Sequence, residues 1–211
     1  MWTDGDLLDD EQMAHRFNNV VNGTNDLHIT DAGTLALPGE DGSSNQDYLE
    51  TKGPGGTPAW TVSFWFRTPQ VDQGESQGLF SNNRKTDTNF SWEVIVHDGM
   101  LQLRSTNQEE PNPMLSNTGS NKPSLKPNTW HQVVVRKTGS GDVGELYLGT
   151  TDGISKVGTM TNNPGGLQMF RVGINRTSDV QYRAELANLA IFRNDSVSIE
   201  DLNKAGPVEN D

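Results

Sequence analysis

The 211-residue sequence contains no cysteine. That removes disulfides, thiolate metal sites and thiol nucleophiles from its chemistry. Positive charge is scarce: 16 lysines and arginines stand against 28 aspartates and glutamates, for a formal net charge of −12. A chain of that sign repels phosphates and anionic headgroups, so no nucleic-acid partner is expected. Divalent cations suit it better. Apolar residues make up only 32% of the chain, and no run approaches the roughly 20 that a membrane helix needs. No membrane insertion is expected. The start, Met1-Trp2-Thr3-Asp4-Gly5-Asp6, has neither a basic segment nor an apolar one behind it. No signal peptide is therefore expected in this chain. The length suffices for a domain whose core needs no staples.

Turn chemistry is what the sequence has in quantity, with 22 glycines and 10 prolines. From Asp26 onward, short apolar runs alternate with clusters of Gly, Asn, Asp, Ser and Pro, the signature of strands and tight turns. Trp60–Arg67 is the clearest strand. Trp60, Val62, Phe64 and Phe66 fall on one face, and Thr61, Ser63, Trp65 and Arg67 on the other. Trp60 and Trp92 read as core; Trp65 shares its face with polar residues. Phe90–His97 repeats the alternation, and Asp98-Gly99 predicts a hairpin into Met100–Arg104. Further strands are expected at 35–37, 48–51, 78–81, 130–137, 144–148, 155–159, 169–173 and 185–192. A short helix is predicted after Ser198, through Ile199, Leu202 and Ala205, stopped by Gly206-Pro207. At the other end, Met13, Phe17, Val20 and Val21 follow Asp9-Asp10-Glu11 at helical spacing. This predicts an N-terminal arm over 1–25 with a short amphipathic helix, ahead of one domain over 26–211. Many short strands with almost no helix make the fold all-β, a two-sheet antiparallel β-sandwich.

Four segments carry a resemblance. They are Asn45-Gln46-Asp47-Tyr48-Leu49-Glu50, Trp60–Arg67, Asn128-Thr129-Trp130-His131-Gln132-Val133-Val134-Val135, and Ala184–Phe192 followed by Ser196–Leu202. In this order and spacing, spanning about residues 26–205, they resemble the laminin-G-like modules of the concanavalin A-like lectin/glucanase superfamily. The resemblance implies a jelly roll. It also implies that the module binds carbohydrate, as many relatives do, or hydrolyses it, as others do. One departure stands out: an acidic residue of the family's closing strand falls near Ala187 here, with Asn188 beside it.

The residues do not supply the hydrolase's chemistry. A retaining glycosidase needs two carboxylates about 5–5.5 Å apart. The glucanase relatives place these on one strand as E-x-D-x-x-E, and no such motif occurs. Glu93 is alone on its strand, Glu185 is alone, and Glu145 is separated from Asp142 by a glycine-rich turn. The four histidines, His15, His28, His97 and His131, are scattered, and no Gly-x-Ser-x-Gly elbow is present. The chain is not expected to be an enzyme.

Binding is better supplied. The segment 40–47 offers carboxylates and amides beside glycine, which suits calcium; Asp41, Asn45 and Asp47 are the candidate ligands. The resemblance implies that such a calcium sits at a rim. For a glycan, amides and guanidinium groups near an aromatic side chain are needed. Asn82, Arg84 and Asn89 lie just before Trp92; Arg176, Asp179 and Tyr182 form a second polar group; Arg104 opens onto the long polar stretch 105–128. The expected partner is a glycan or polysaccharide, and the expected setting extracellular or on a virion surface. The alternative is a structural or decoration protein of a larger assembly, such as a phage virion, docking on a capsid or other assembly protein through the N-terminal arm.

Overall fold

The computed structural model describes residues 7–9, 13–15, 18–20, 28–30, 34–37, 48–55, 59–71, 77–82, 91–97, 99–106, 114–115, 124–139, 144–160, 167–174 and 183–207. The strands are β1 (Leu7–Asp9), β2 (Met13–His15), β3 (Asn18–Val20), β4 (His28–Ile29), β5 (Leu35–Leu37), β6 (Tyr48–Gly55), β7 (Trp60–Arg67) and β8 (Gln77–Asn82). They continue as β9 (Ser91–His97), β10 (Met100–Thr106), β11 (Met114–Leu115), β12 (His131–Lys137), β13 (Gly144–Thr150), β14 (Gly153–Met160), β15 (Leu167–Val172) and β16 (Ala184–Phe192). Among the described residues one helix, α1 (Ile199–Lys204), follows.

Two seven-stranded sheets form, in the orders β11-β10-β9-β8-β15-β6-β3 and β14-β13-β12-β7-β16-β5-β4. β1 and β2 pair separately. The expected Asp98-Gly99 hairpin joins β9 to β10 with Met100 opposite His97, and Gly99 takes the positive φ of 69° that a two-residue turn requires. The helix is as the sequence predicts. Ser198 accepts from the Asp201 N–H at 3.1 Å, and Gly206 ends it at φ 65°.

Among the described residues of the N-terminal segment, strands stand where the sequence predicts a helix. Met13 lies in β2 and Val20 in β3, and β3 joins the first sheet by pairing with β6; Phe17 and Val21 lie outside the described residues. β3 gets its backbone hydrogen bonds from β6, a distant partner that local periodicity does not report.

The core lies between the sheets. β7, β12, β13 and β16 contribute one wall, and β8, β9, β10 and β15 the other. Aromatic rings join the two. Trp60 of β7 stacks on Trp92 of β9 with centroids 4.8 Å apart, Phe80 of β8 lies 5.4 Å from Trp92, and Phe64 and Phe170 each lie 5.9 Å from Phe80. Both core tryptophans are fully buried. Such contacts add about 0.5–1.5 kcal/mol apiece beyond the area they bury.

Trp65 is buried as well, on the opposite face of β7. The chain after β16 explains this. It folds back over the outer face of the second sheet and is anchored there by polar side chains. The Thr61 hydroxyl donates to Asn194 O at 2.9 Å, Arg136 donates to Val197 O, and Gln132 Nε2 donates to Leu202 O at 3.0 Å. Asn203 Nδ2 donates to Gln132 Oε1 at 2.9 Å and to Thr150 O at 3.0 Å. Asn188, at φ 48° in a bulge of β16, donates to Gly206 O and ties down the end of this cover. Among the described residues no helix is long and apolar enough to cross a membrane.

Candidate functional site: an aromatic and charged strip at one end of the second sheet

Register decides which outer-face side chains meet. On the second sheet, Ala36, Glu185 and Arg67 stand side by side across β5, β16 and β7. His131 of β12 faces Phe66 across the ladder, so Trp130, one residue earlier, continues the row beside Arg67. The structure joins these groups. Arg67 Nη2 donates to Glu185 Oε2 at 3.0 Å, and its guanidinium carbon lies 4.7 Å from the centroid of the Trp130 ring. The Thr34 hydroxyl donates to the same Oε2 at 3.0 Å. Glu185 Oε1 is left as an acceptor without a partner among the described residues. The Arg67 and Glu185 side chains keep 30% and 35% of their surface in solvent, while Trp130 is half-buried.

The turn that delivers Trp130 is fixed at several points. Asn128 sits at φ 52° and donates its N–H to Thr68 O at 2.7 Å. The Lys126 N–H donates to His131 Nε2 at 3.0 Å. His131 itself is buried against Phe66, ring centroids 5.6 Å apart. Burial lowers its proton affinity below the ordinary histidine value, and the nearby Lys126 charge pushes the same way against the Lys126 backbone hydrogen bond.

A second charged group lies on the same outer face near the β14 edge. Glu145 accepts from the Tyr147 hydroxyl at 2.8 Å and from Lys156 Nζ at 2.6 Å. Burial alone would raise the Glu145 carboxyl, but these two hydrogen bonds more than offset it and its pKa is lowered. Burial and the bond to Glu145 push the Tyr147 hydroxyl up to about 12. Both oxygens of Glu145 are thereby occupied.

On the first sheet the outer face carries another row, Glu50, Arg171, Ser81 and Glu93, on β6, β15, β8 and β9. Arg171, Ser81 and Glu93 are buried, and the Arg171 guanidinium lies 5.6 Å from the Tyr48 ring. Glu93 and Glu50 are three interstrand steps apart, about 14 Å at roughly 4.8 Å per step. That exceeds the separation either glycosidase mechanism uses, about 5–9.5 Å. Glu185 lies on the outer face of the other sheet, with the core between it and Glu93. Glu145 shares a sheet with Glu185 but stands beside Arg136 and Thr61, six residues along β7 from Arg67, or about 20 Å. No two of these carboxylates are close enough to share a glycosidic bond.

Of the residues that the sequence nominates, Asn82 is buried, with Oδ1 accepting from the Trp92 N–H at 2.6 Å. Arg104 lies in β10, its backbone paired with Glu93 and Leu115. Arg84, Asn89, Arg176, Asp179 and Tyr182 lie outside the described residues, as do the candidate calcium ligands Asp41, Asn45 and Asp47. The strands that flank them are described. Asn82 and Arg104 lie toward the end of the first sheet where β8 stops and β9 starts. β15 ends, and β16 begins, at the opposite end, where β5 stops and β6 starts. The segment with Arg176, Asp179 and Tyr182 therefore connects strands at the end that carries Trp130 and Glu185, as does the segment with Asp41, Asn45 and Asp47. Among the described residues no three carboxylates or histidines cluster as a metal site. Sequence reasoning did not nominate Trp130, Arg67 or Glu185 as a group. The available signal was Trp130 pointing opposite to the core-facing His131.

Comparison with known proteins agrees with this architecture. Residues 41–198 match the Laminin_G_3 family model of the concanavalin A-like lectin/glucanase superfamily, which covers more than half of the chain. The chain belongs to this family. No curated protein matches it in sequence. Among solved structures, the laminin-G-like chain is similar to the binding domain of botulinum neurotoxin DC in complex with SialylT. That match has a TM-score of 0.60 and 12% identity, covering 89% of this chain and 45% of that one. It is also similar to domain 4 of a GH43 extracellular arabinanase from Geobacillus stearothermophilus, solved with arabinotriose. There the TM-score is 0.59 and the identity 15%, covering 95% of this chain and 84% of that domain. The chain spans about half the length of the neurotoxin binding domains it resembles, and at these identities the likeness is one of fold. In this laminin-G-like domain Asn188 is spent on the bulge and on Gly206 O.

Proposed function

We propose that this domain is a non-catalytic carbohydrate-binding module that meets its glycan at the strip of Trp130, Arg67 and Glu185. The observation that carries the reading is the partly exposed Arg67–Glu185 pair set against Trp130 in one row, with a carboxylate oxygen still unclaimed. A sugar needs what this row has: an aromatic surface for its C–H face, and planar charged groups at hydrogen-bonding distance from its hydroxyls. The solved relatives in complex with SialylT and with arabinotriose support a glycan as ligand. The distance between Glu93 and Glu50 supports binding without hydrolysis.

Calcium is proposed as a stabilising ion of the same end, held by Asp41, Asn45 and Asp47, because their segment connects β5 to β6 there. Hard oxygen donors of this kind suit calcium. Asp47→Ala should lower the melting temperature in calcium and leave it unchanged in chelator; equal falls in both would remove the metal from the account.

The test of the binding reading is an array of arabino-oligosaccharides and sialylated oligosaccharides, run in calcium and in chelator. Trp130→Ala and Arg67→Ala should each weaken the strongest interaction by about tenfold or more, the scale of a hot-spot truncation. Unchanged binding in both variants would place the ligand elsewhere. A negative array with folded protein would favour the assembly reading, in which the partner is another protein.

A further inference from the structure

We propose that His131 makes the strip acid-sensitive: protonation of its ring releases the turn 126–129 and withdraws Trp130 from Arg67. The inference deepens the binding proposal and, for its effect on affinity, rests on it. Nε2 accepts the Lys126 N–H at 3.0 Å, so the neutral ring must carry its proton on Nδ1. Nδ1 is buried without a hydrogen-bond partner. The imidazole is thus held neutral in an apolar site, with Phe66 against it. A second proton can go only to Nε2, the atom that holds the turn. Nε2 then becomes a donor facing the Lys126 N–H, and the Lys126 carbonyl, 3.3 Å away, becomes its nearest acceptor. The two states of the ring therefore require different orientations of the Lys126 peptide.

Three residues, 127–129, separate Lys126 from Trp130; among the described residues their main-chain tether to the sheet is Asn128 N–H to Thr68 O, and the Thr129 hydroxyl donates to Pro127 O at 3.2 Å. A rotation at Lys126 is accordingly passed on toward Trp130. Among the described residues, the charged groups around the ring are few. Lys126 lies on the turn itself, Arg67 is next to Phe66 on β7, and Glu185 lies beyond Arg67 on β16. Lys126 is the one that acts on the ring's charge, and it opposes protonation. The lowered proton affinity also links the ring to stability. The unfolded chain takes up the proton first, so the fold loses stability as the pH falls below about 6.5, until the folded ring is itself protonated.

The experiment is a pH titration of the whole chain from 7.5 to 5.0, following tryptophan emission, with Trp130→Phe used to assign the Trp130 component. Far-UV circular dichroism reports whether the chain stays folded. The same oligosaccharide array is probed at both ends of the range. The wild type should show a reversible change in Trp130 emission and about a tenfold loss of array binding with the same midpoint, as when the competent population falls to a tenth. His131→Gln keeps an acceptor for the Lys126 N–H but cannot titrate, and should show neither change. His131→Phe removes the acceptor and should resemble the acid state already at pH 7.5. A wild type without an emission change, or a His131→Gln variant that keeps it, overturns the proposal. An emission change that depends on His131 while array binding is constant or absent upholds the switch and overturns the placement of the glycan on the strip.

Discussion

Replacing Gln132 by alanine should unlock the C-terminal cover from the second sheet. The side chain is fully buried on the outer face of β12. It donates to the Ser63 hydroxyl and to Leu202 O, both at 3.0 Å, and accepts from Asn203 Nδ2 at 2.9 Å. These partners do not suffer equally. The Ser63 hydroxyl can rotate, and Asn203 keeps Thr150 O. Leu202 O is one of the last carbonyls of α1, and the N–H that would have served it, that of Gly206, goes to Asn203 O instead. Three neutral hydrogen bonds at about 0.5–1.5 kcal/mol each, with one carbonyl left buried and unpaired at about 1–3 kcal/mol, put the loss near 3 kcal/mol after partial relaxation. For a domain of this size that corresponds to roughly 6–12 °C in melting temperature. Urea unfolding of Gln132→Ala, Asn203→Ala and the double variant measures it. The double-mutant cycle should show a coupling of at least about 0.5 kcal/mol, because the two amides share a bond. A Gln132→Ala loss below about 1 kcal/mol, or strict additivity, would falsify the view that this amide carries the cover.

Two other perturbations probe the same face. Glu145→Gln removes the acceptor charge that helps hold the Tyr147 proton, so the phenol should titrate below its present value of about 12 but stay above the ordinary 10, since burial remains; absorbance at alkaline pH reads this, and an unshifted phenol would refute the pairing. Gly149→Ala places a Cβ 2.8 Å from the Ile154 Cβ and 3.0 Å from Asn203 Nδ2. Overpacking of this kind typically costs about 1–3 kcal/mol. Stability equal to wild type would mean that α1 does not approach the sheet this closely.

The strands were legible because alternation is local. The Trp60–Arg67 pattern sets its own faces, and β7 begins and ends at those residues. Ser198 and Gly206 likewise bracket α1 by short-range rules. Two readings needed information that lies far along the chain. β3 exists because β6, about thirty residues on, offers it backbone partners, so the helical spacing of Met13 and Val20 was misleading. Trp65 is covered by a segment more than 120 residues away in sequence, which nothing near Trp65 announces. The strip was illegible for the same reason. Glu185 and Arg67 are 118 residues apart, and only the pairing of β16 with β7 brings them together.

Polarity on the outer face of the second sheet sorts itself by partner. Thr61, Gln132 and Arg136 reach main-chain carbonyls of the cover, and Asn203 reaches both the Gln132 amide and Thr150 O. A polar side chain whose bonds end on its own backbone has little capacity left for a ligand, and losing it shows up as instability. One row further on, the partners change. Arg67 is spent on a carboxylate and an indole, both at the surface, and Glu185 uses a single oxygen for two donors. Such groups can exchange a protein contact or a water for a sugar hydroxyl at small cost, because they are already partly solvated. Substitutions in the first set should therefore lower the melting temperature with glycan affinity lost only through unfolding. Substitutions in the second should lower affinity at a nearly constant melting temperature. The two sets lie on one sheet face, six residues apart along β7 between Thr61 and Arg67, so the two kinds of loss can be measured in one domain.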